Sequence, residues 1–198
     1  MSVVQLTNTY LQALKRSLRE QCNAGSVHLT EAIARGCGAR THAALLARIK
    51  AGGEGIFIRF NEAAFSHRLV ELSGNSAPDA LDFPDLHHSA RYIPALFDDP
   101  ALDILDLHVM RVRFCLKGIA TVIEIHLEDM GNGYTRFIRS HAIHAPGQAG
   151  PYWPSRDFDD DAAYAMHRAI DSIVDYYRDA IRNGHKPSAS WLIESKYR

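Results

Sequence analysis

Apolar residues recur at every third or fourth position along the first part of the chain, which predicts amphipathic helices. The spacing predicts one helix over residues 5–22 and two further helices that end at Gly36 and Gly52. Glycine suits both ends because it readily adopts the left-handed conformation that terminates helices. We therefore expect a three-helix N-terminal unit over residues 1–53.

The pattern changes after residue 53. A β-rich run predicts a short strand at 56–60, and helical spacing returns over 62–72. Prolines and acidic residues then interrupt the periodicity over 73–90, which predicts a long surface loop or a linker. These segments open a second region, residues 54–198.

A strict alternation of apolar and polar residues marks the middle of the second region. It covers residues 107–116, 120–128 and 134–143, which predicts three strands. Lys-Gly and Asn-Gly pairs separate these segments, and such pairs favour tight hairpins. Residues 107–143 are therefore expected to form an antiparallel meander of three strands or slightly more.

The clearest helix of the chain is predicted over residues 161–183. Its apolar residues line one face, and Gly184 and Pro187 follow as helix-ending residues. A helix with one apolar face needs a partner surface, which the apolar face of the meander provides. The expected fold class is α+β: an N-terminal helical unit, an antiparallel sheet and a long C-terminal helix packed on the sheet. The two regions could also form one compact domain.

One face of the meander is expected to collect polar side chains, because side-chain direction alternates along a strand. The expected register places Arg111 and His141 opposite Glu124. The same register places Arg139 opposite His126. The predicted polar face therefore carries Arg111, Arg113, Glu124, His126, Arg139 and His141.

These residue types suggest chemistry. Glu124, His126 and His141 are candidate catalytic residues, since a carboxylate beside an imidazole can support general base catalysis. The three arginines of the predicted polar face are candidate ligand-binding residues, because guanidinium groups hold phosphates and carboxylates. The competing interpretation is a solvated outer face on which ion pairs link neighbouring strands.

The second and third N-terminal helices have the outline of a helix-turn-helix with a glycine-containing turn. In that interpretation Arg40, His42, Arg48 and Lys50 contact nucleic acid. The competing interpretation is a helical hairpin that packs in a core, because the run AALLARIK is largely apolar.

The stretch SVHLTEAIARGCGARTHAALL at residues 26–46 resembles the N-terminal segment of a loose group of uncharacterised bacterial proteins. In that group a Gly-aromatic-Arg turn joins two short helices, whereas this chain has Ala39 at the aromatic position. The run AIRNGHKPSASWL is similar to the same group. The resemblance implies a bacterial protein, with a mobile element as one origin, and implies no activity and no catalytic residue.

Formal charges nearly cancel over the 198 residues, with a net charge of -1, so binding to nucleic acid or to an anionic membrane by charge alone is not expected. The balance hides a segregation of charge. Residues 1–72 carry nine basic and five acidic side chains, whereas residues 73–106 carry one basic and seven acidic ones. The acidic stretch could mimic nucleic acid toward a basic partner.

The cysteines and the N-terminus predict a cytoplasmic location. Cys22, Cys37 and Cys115 are widely spaced, which favours reduced thiols. The first residues lack the apolar segment of a secretory signal, and no apolar run is long enough to span a membrane.

We expect neither a metal nor a cofactor. Asp157, Asp159 and Asp161 match the opening of a calcium loop, but the later positions of that loop do not match. Asp159, Asp160 and Asp161 are instead expected to cap the last helix. His87 and His88 are expected to be solvated. Tyr152 and Trp153, which stand between two prolines, are expected to be buried and to hold their loop in place. Exposed, they would instead mark a surface for a partner or a ligand.

The sequence favours a non-enzymatic cytosolic binding protein. Its partner would be a protein or a nucleic acid, engaged by the N-terminal helices and the acidic residues 73–106. The alternative is an enzyme or small-ligand binder that uses the predicted polar face. A concavity lined by Glu124, His126 and His141 would favour the alternative.

Overall fold

A computed structural model describes residues 2–52, 55–86, 90 and 93–195. The chain divides into two compact units, Met1–His87 and His88–Arg198. The N-terminal unit thus continues past residue 53, where the sequence pattern sets the boundary. The reason is that Ile56, Phe60 and Phe65 belong to the same buried core as the preceding helices.

The N-terminal unit packs helices around a short two-stranded sheet. Its described elements are β1 (Val3–Leu6), α1 (Asn8–Cys22), α2 (Ser26–Gly36), α3 (His42–Gly52), β2 (Ile56–Arg59) and α4 (Glu62–Ser73). Strands β1 and β2 are antiparallel, with Val3 opposite Arg59. This pairing explains why residues 5 and 6, predicted as helix, form a strand. Helix α1 starts after Thr7, whose side chain accepts a hydrogen bond from the Tyr10 N–H.

A close approach holds α2 against the end of β2. A Cβ atom at Gly36 would lie 2.3 Å from the Phe60 ring, so Phe60 can pack here only because Gly36 has no side chain. The Phe60 ring also lies 5.6 Å from the Phe65 ring of α4. Gly36 therefore matters for packing, whereas the left-handed conformation after α2 is adopted by Gly38, with φ 74°.

The C-terminal unit is built on an antiparallel sheet. Its described elements are α5 (Ile93–Asp98), β3 (Leu102–His108), β4 (Arg111–Leu116), β5 (Ile123–Asp129), β6 (Thr135–Arg139), β7 (His141–Ile143), β8 (Phe158–Asp159), α6 (Ala162–Arg182), a 3-10 turn (Ala189–Trp191) and β9 (Leu192–Glu194). Five strands form one sheet in the order β3-β4-β5-β6-β8, while β7 pairs with β9 in a separate two-stranded sheet.

The fold is thus mixed α and β with an antiparallel sheet and a long C-terminal helix, as predicted, but the main sheet has five strands. The predicted strand 107–116 is confirmed over Arg111–Leu116, but Val109 and Met110 form a turn that separates residues 107 and 108, which end β3, from β4. The predicted strand 134–143 breaks at Ser140 into β6 and β7. Both breaks occur within alternating sequence, so the pattern alone does not reveal them.

Helix α6 lies against β5 and β6. Its buried side chains include Met166, Ile170 and Ile173, and each fully buried side chain of this size contributes about 1.5–3 kcal/mol. Asp161 caps the helix by accepting a hydrogen bond from the Tyr164 N–H at 2.8 Å. At the other end Gly184 has φ 82°, which is the left-handed conformation expected there.

Candidate functional site

Side chains of β4 and β5 form most of the polar face of the sheet. Arg111 lies opposite His126, and Arg113 lies opposite Glu124. The expected register differs from this pairing by two residues, so the side chains remain on the expected face. Strand β3, which the sequence pattern did not separate from β4, adds Asp106 to the same face, opposite Arg113.

The charges on this face neutralise one another. Arg113 Nη1 lies 3.1 Å from Asp106 Oδ2, and Arg111 Nη2 lies 3.5 Å from Asp106 Oδ1. His126 Nε2 lies 2.9 Å from Glu124 Oε1. These side chains are partly exposed, and such pairs contribute little to stability. The arrangement matches the competing interpretation of an outer sheet face with cross-strand ion pairs.

His108 sits beside this network. Burial lowers its pKa, the neighbouring Arg111 cation lowers it further, and Asp106 acts in the opposite direction. Arg111 Nη2 lies 3.3 Å from His108 Nε2, so a neutral imidazole can accept a hydrogen bond from the guanidinium. The net effect of these neighbours is a lowered pKa of His108.

The turn between β5 and β6 moves Arg139 off the polar face. Asp129 pairs with Thr135 around a five-residue connection centred on Asn132, whereas the prediction centres a tight turn on Asn132-Gly133. The register therefore shifts by one residue, which reverses the facing of every side chain in β6. Arg139 lies opposite Ile125 on the buried face, and Ile138 takes the polar position opposite His126.

His141 is also separated from the other candidates. It lies in β7, opposite Glu194 rather than Glu124. Its Nδ1 lies 2.9 Å from Ser140 Oγ, which accepts a hydrogen bond from the Glu124 N–H at 2.8 Å. The main sheet brings together Arg111, Arg113, Glu124 and His126, but not His141.

Arg139 is a buried cation, with 5% of its surface exposed. Its Nη1 donates to Ser172 Oγ at 2.6 Å, and its Nη2 donates to the Tyr152 carbonyl at 3.3 Å. Both partners are neutral, and among the described residues no carboxylate forms an ion pair with it. Burial lowers the pKa of Arg139 to about 10, while Tyr152 acts in the opposite direction, so the group stays charged at neutral pH.

A cavity of about 580 Å³ adjoins this arginine. Its lining residues are Glu128, Arg136, Phe137, Ile138, Arg139, Trp153, Pro154, Asp157 and Ser195. The Arg139 guanidinium lies 5.6 Å from the centroid of the Trp153 ring, a cation–π arrangement. Trp153 is 46% exposed, so the expectation that it is buried is wrong.

The carboxylates of this cavity do not compensate Arg139. Asp157 pairs with Arg136, with Oδ2 and Nε 3.0 Å apart. Glu128 is exposed and lies opposite Arg136 in the sheet. A second cavity of about 390 Å³ is lined by Tyr152 and Ser172, the two hydrogen-bond partners of Arg139. The guanidinium is therefore held by neutral groups beside two cavities.

The second buried charge among the described residues of this unit, Asp159, is paired. Arg168 Nη1 lies 2.7 Å from its Oδ2, and Arg156 Nη2 lies 3.8 Å from its Oδ1. Burial opposes ionisation of Asp159, but the hydrogen bonds from Arg168 and from the Asp160 N–H outweigh it, so the pKa is lowered. Asp159 therefore holds Arg168, while Asp161 performs the predicted capping.

The four predicted nucleic-acid contacts lie on or near α3. Arg48 donates from Nη1 to the Cys37 carbonyl at 3.3 Å, across the turn that joins α2 to α3. The His42 N–H donates to the Glu31 carboxylate. Arg40 and Lys50 have exposed side chains. Binding of nucleic acid by these residues stays a prediction.

No group of three or more metal-ligating side chains occurs among the described residues. His87 and His88 lie outside that part of the chain. No helix within the described ranges is long and apolar enough to cross a membrane. No family model, curated protein or solved structure matches the chain.

The residues around Arg139 that sequence reasoning missed come from distant segments. Ser172 lies on α6 and Tyr152 on the loop before β8, so no local spacing links them to Arg139. The one available signal is the Pro-Tyr-Trp-Pro segment, whose aromatic residues stand out in an irregular stretch.

Proposed function

We propose that the C-terminal unit binds a small organic carboxylate, held at Arg139 in the cavity lined by Trp153. The observation that carries this proposal is the buried guanidinium without an acidic partner. Removing a charge from water costs several kcal/mol unless an opposite charge compensates it. A ligand carboxylate would supply the missing charge.

The chemistry of the site favours a carboxylate with a flat apolar body. Arginine has five N–H donors, and only two of those in Arg139 have partners in the described part of the structure. The others can hold a carboxylate with two parallel hydrogen bonds. The exposed Trp153 ring offers a stacking surface, and the cavity volume is in the usual range for ligand pockets.

The polar face supports ligand binding less well. Arg111 and Arg113 already share Asp106, so an incoming anion would compete with a carboxylate of the protein. Neither of the two cavities beside Arg139 is lined by Glu124, His126 or His141. Of the three candidate ligand-binding arginines, Arg139 alone is therefore proposed to bind the ligand.

Calorimetric titration with 3-phenylpropionate tests the proposal. Arg139→Met should weaken binding about 10–100-fold, since hydrogen bonds to charged groups are worth about 1.5–3 kcal/mol. Arg113→Met is the matched control, because it removes a paired arginine from the opposite face, and its affinity should equal that of the wild type. The amide 3-phenylpropionamide should not bind. Equal binding by the Arg139 variant, or no binding to the wild type, would contradict the proposal.

For the N-terminal unit, a protein or nucleic-acid partner stays a prediction. The exposed Arg40, Arg48 and Lys50 are the feature that motivates it. Fluorescence polarisation with duplex DNA at several salt concentrations tests the nucleic-acid branch, because phosphate contacts weaken steeply with salt. No binding at low salt would end it.

A further inference from the structure

The outer edge of β6 is only partly covered. Successive residues of an antiparallel strand direct their N–H and C=O groups to opposite edges. The Ser140 N–H, at an even-numbered position, points toward β5. The Phe137 N–H, at an odd-numbered position, points outward, away from β5, and donates to the Asp157 carbonyl at 2.7 Å. By the same alternation, the main-chain N–H and C=O of Arg139 point outward.

The segment of residues 153–156 lies along this edge without pairing to it. It is fixed at one end by the Asp157 bond and at the other by the Tyr152 N–H, which donates to the Ile143 carbonyl at 2.9 Å. Between these bonds, no main-chain hydrogen bond joins described residues 153–156 to Arg139.

The larger cavity lies at this gap. Its lining includes Ile138 and Arg139 from the strand, and Trp153, Pro154 and Asp157 from the neighbouring segment. One residue, Arg139, therefore brings three recognition elements to the same place: a buried cation, an outward N–H donor and an outward C=O acceptor. Uncovered strand edges bind ligands that carry an amide in extended conformation.

We infer that the ligand is an N-acylated α-amino acid, the chemistry that a peptide C-terminus shares. The inference rests on the proposed function, because the carboxylate must pair with the Arg139 guanidinium. The amide would then exchange hydrogen bonds with the Arg139 main chain, and an aromatic side chain would stack on Trp153. Only one outward-facing residue is available at the gap, so a longer peptide should gain little.

Matched ligands separate the amide from the carboxylate. N-acetylphenylalanine and 3-phenylpropionate share the carboxylate and the ring, but only the first has the amide. We expect N-acetylphenylalanine to bind about tenfold more tightly, since two net hydrogen bonds contribute on this order. N-acetyl-N-methylphenylalanine, which lacks the N–H, should lose most of the advantage.

The protein variant gives an independent check. Arg139→Met keeps the main chain, so both ligands should weaken while their affinity ratio stays near the wild-type value. Equal binding of the two ligands to the wild type would overturn the inference and leave carboxylate binding intact. Failure of every carboxylate to bind would instead overturn the proposed function itself.

Binding of a tripeptide distinguishes a small acylated amino acid from a peptide C-terminus as the ligand. Acetyl-Ala-Ala-Phe that binds within about threefold of N-acetylphenylalanine supports a small acylated amino acid, as the single outward residue predicts. Binding more than tenfold tighter would support a peptide C-terminus and overturn the limit of one residue. The C-terminal amide of the same tripeptide should not bind, because it lacks the carboxylate.

Discussion

The polar face of the sheet and the surroundings of Arg139 hold the same type of residue in opposite electrostatic conditions. Arg111 and Arg113 share the Asp106 carboxylate and remain partly exposed. Arg139 is buried, and its described hydrogen-bond partners are neutral. A cation that its own protein neutralises needs no ligand, whereas a buried cation without an acid is poised to receive one.

The largest expected effect on stability concerns the buried ion pair between Arg168 and Asp159. Arg168→Met should destabilise the C-terminal unit by about 3 kcal/mol, because it leaves Asp159 buried without its main cation. Arg139→Met should change the free energy of unfolding by less than about 1 kcal/mol, since no buried carboxylate loses a partner. Urea denaturation followed by tryptophan fluorescence measures both, because Trp153 and Trp191 lie in this unit.

A double variant serves as the control for that comparison. Adding Asp159→Asn to Arg168→Met removes the stranded charge and should restore part of the lost stability. If Arg139→Met proves as destabilising as Arg168→Met, then Arg139 is a structural cation and the contrast between the two is wrong.

On the polar face we expect a smaller effect. Arg111→Met should cost about 0.5–1 kcal/mol, because the guanidinium is partly exposed and solvent screens its attraction to Asp106. The loss should shrink as salt is added. A loss above about 2 kcal/mol that is insensitive to salt would show that this face is a buried network.

Acid should selectively weaken the Asp159 pair. The folded pKa of Asp159 lies below its ordinary value of 3.8, so its contribution is complete above pH 3.8 and is lost as pH falls through the folded value. Asp159→Asn should therefore flatten the stability profile below pH 4. If urea denaturation shows that the stability of the variant falls below pH 4 as steeply as that of the wild type, Asp159 is not the group responsible.

The smallest effects come from two histidines with opposite shifts. Burial and Arg111 lower the pKa of His108, so the folded state loses stability as pH falls below 6.5. The hydrogen bond with Asp171 raises the pKa of His167, so its stabilising contribution is present below 6.5 and is lost as pH rises through the folded value. NMR titration should place the two midpoints on opposite sides of 6.5, and the reverse order would contradict both environments.

The sequence pattern predicted the polar face in part, because parity tolerates some errors. A two-residue error between β4 and β5 keeps Arg111, Arg113, Glu124 and His126 together. A one-residue error between β5 and β6 does not. The longer turn is built by Asp129 and Asn132, whose side chains accept hydrogen bonds from the N–H groups of nearby turn residues.

The other features of the site depend on tertiary contacts. Val109 and Met110 form a turn although both are apolar, so composition does not mark it. Trp153 stands between prolines in a way that suits either burial or exposure, and its position beside Arg139 decides for exposure. The sequence pattern places Arg139 on the polar face, because its true facing depends on the length of the turn between β5 and β6.

The most direct test of the account is thermal unfolding of wild type and Arg139→Met, each with and without 3-phenylpropionate, followed by tryptophan fluorescence. Without ligand, the variant should unfold at or above the wild-type temperature. At a ligand concentration of about 100 times Kd, the wild type should gain about 2.7 kcal/mol and become the more stable of the two. If the ligand shifts both proteins equally or neither of them, Arg139 does not hold a carboxylate.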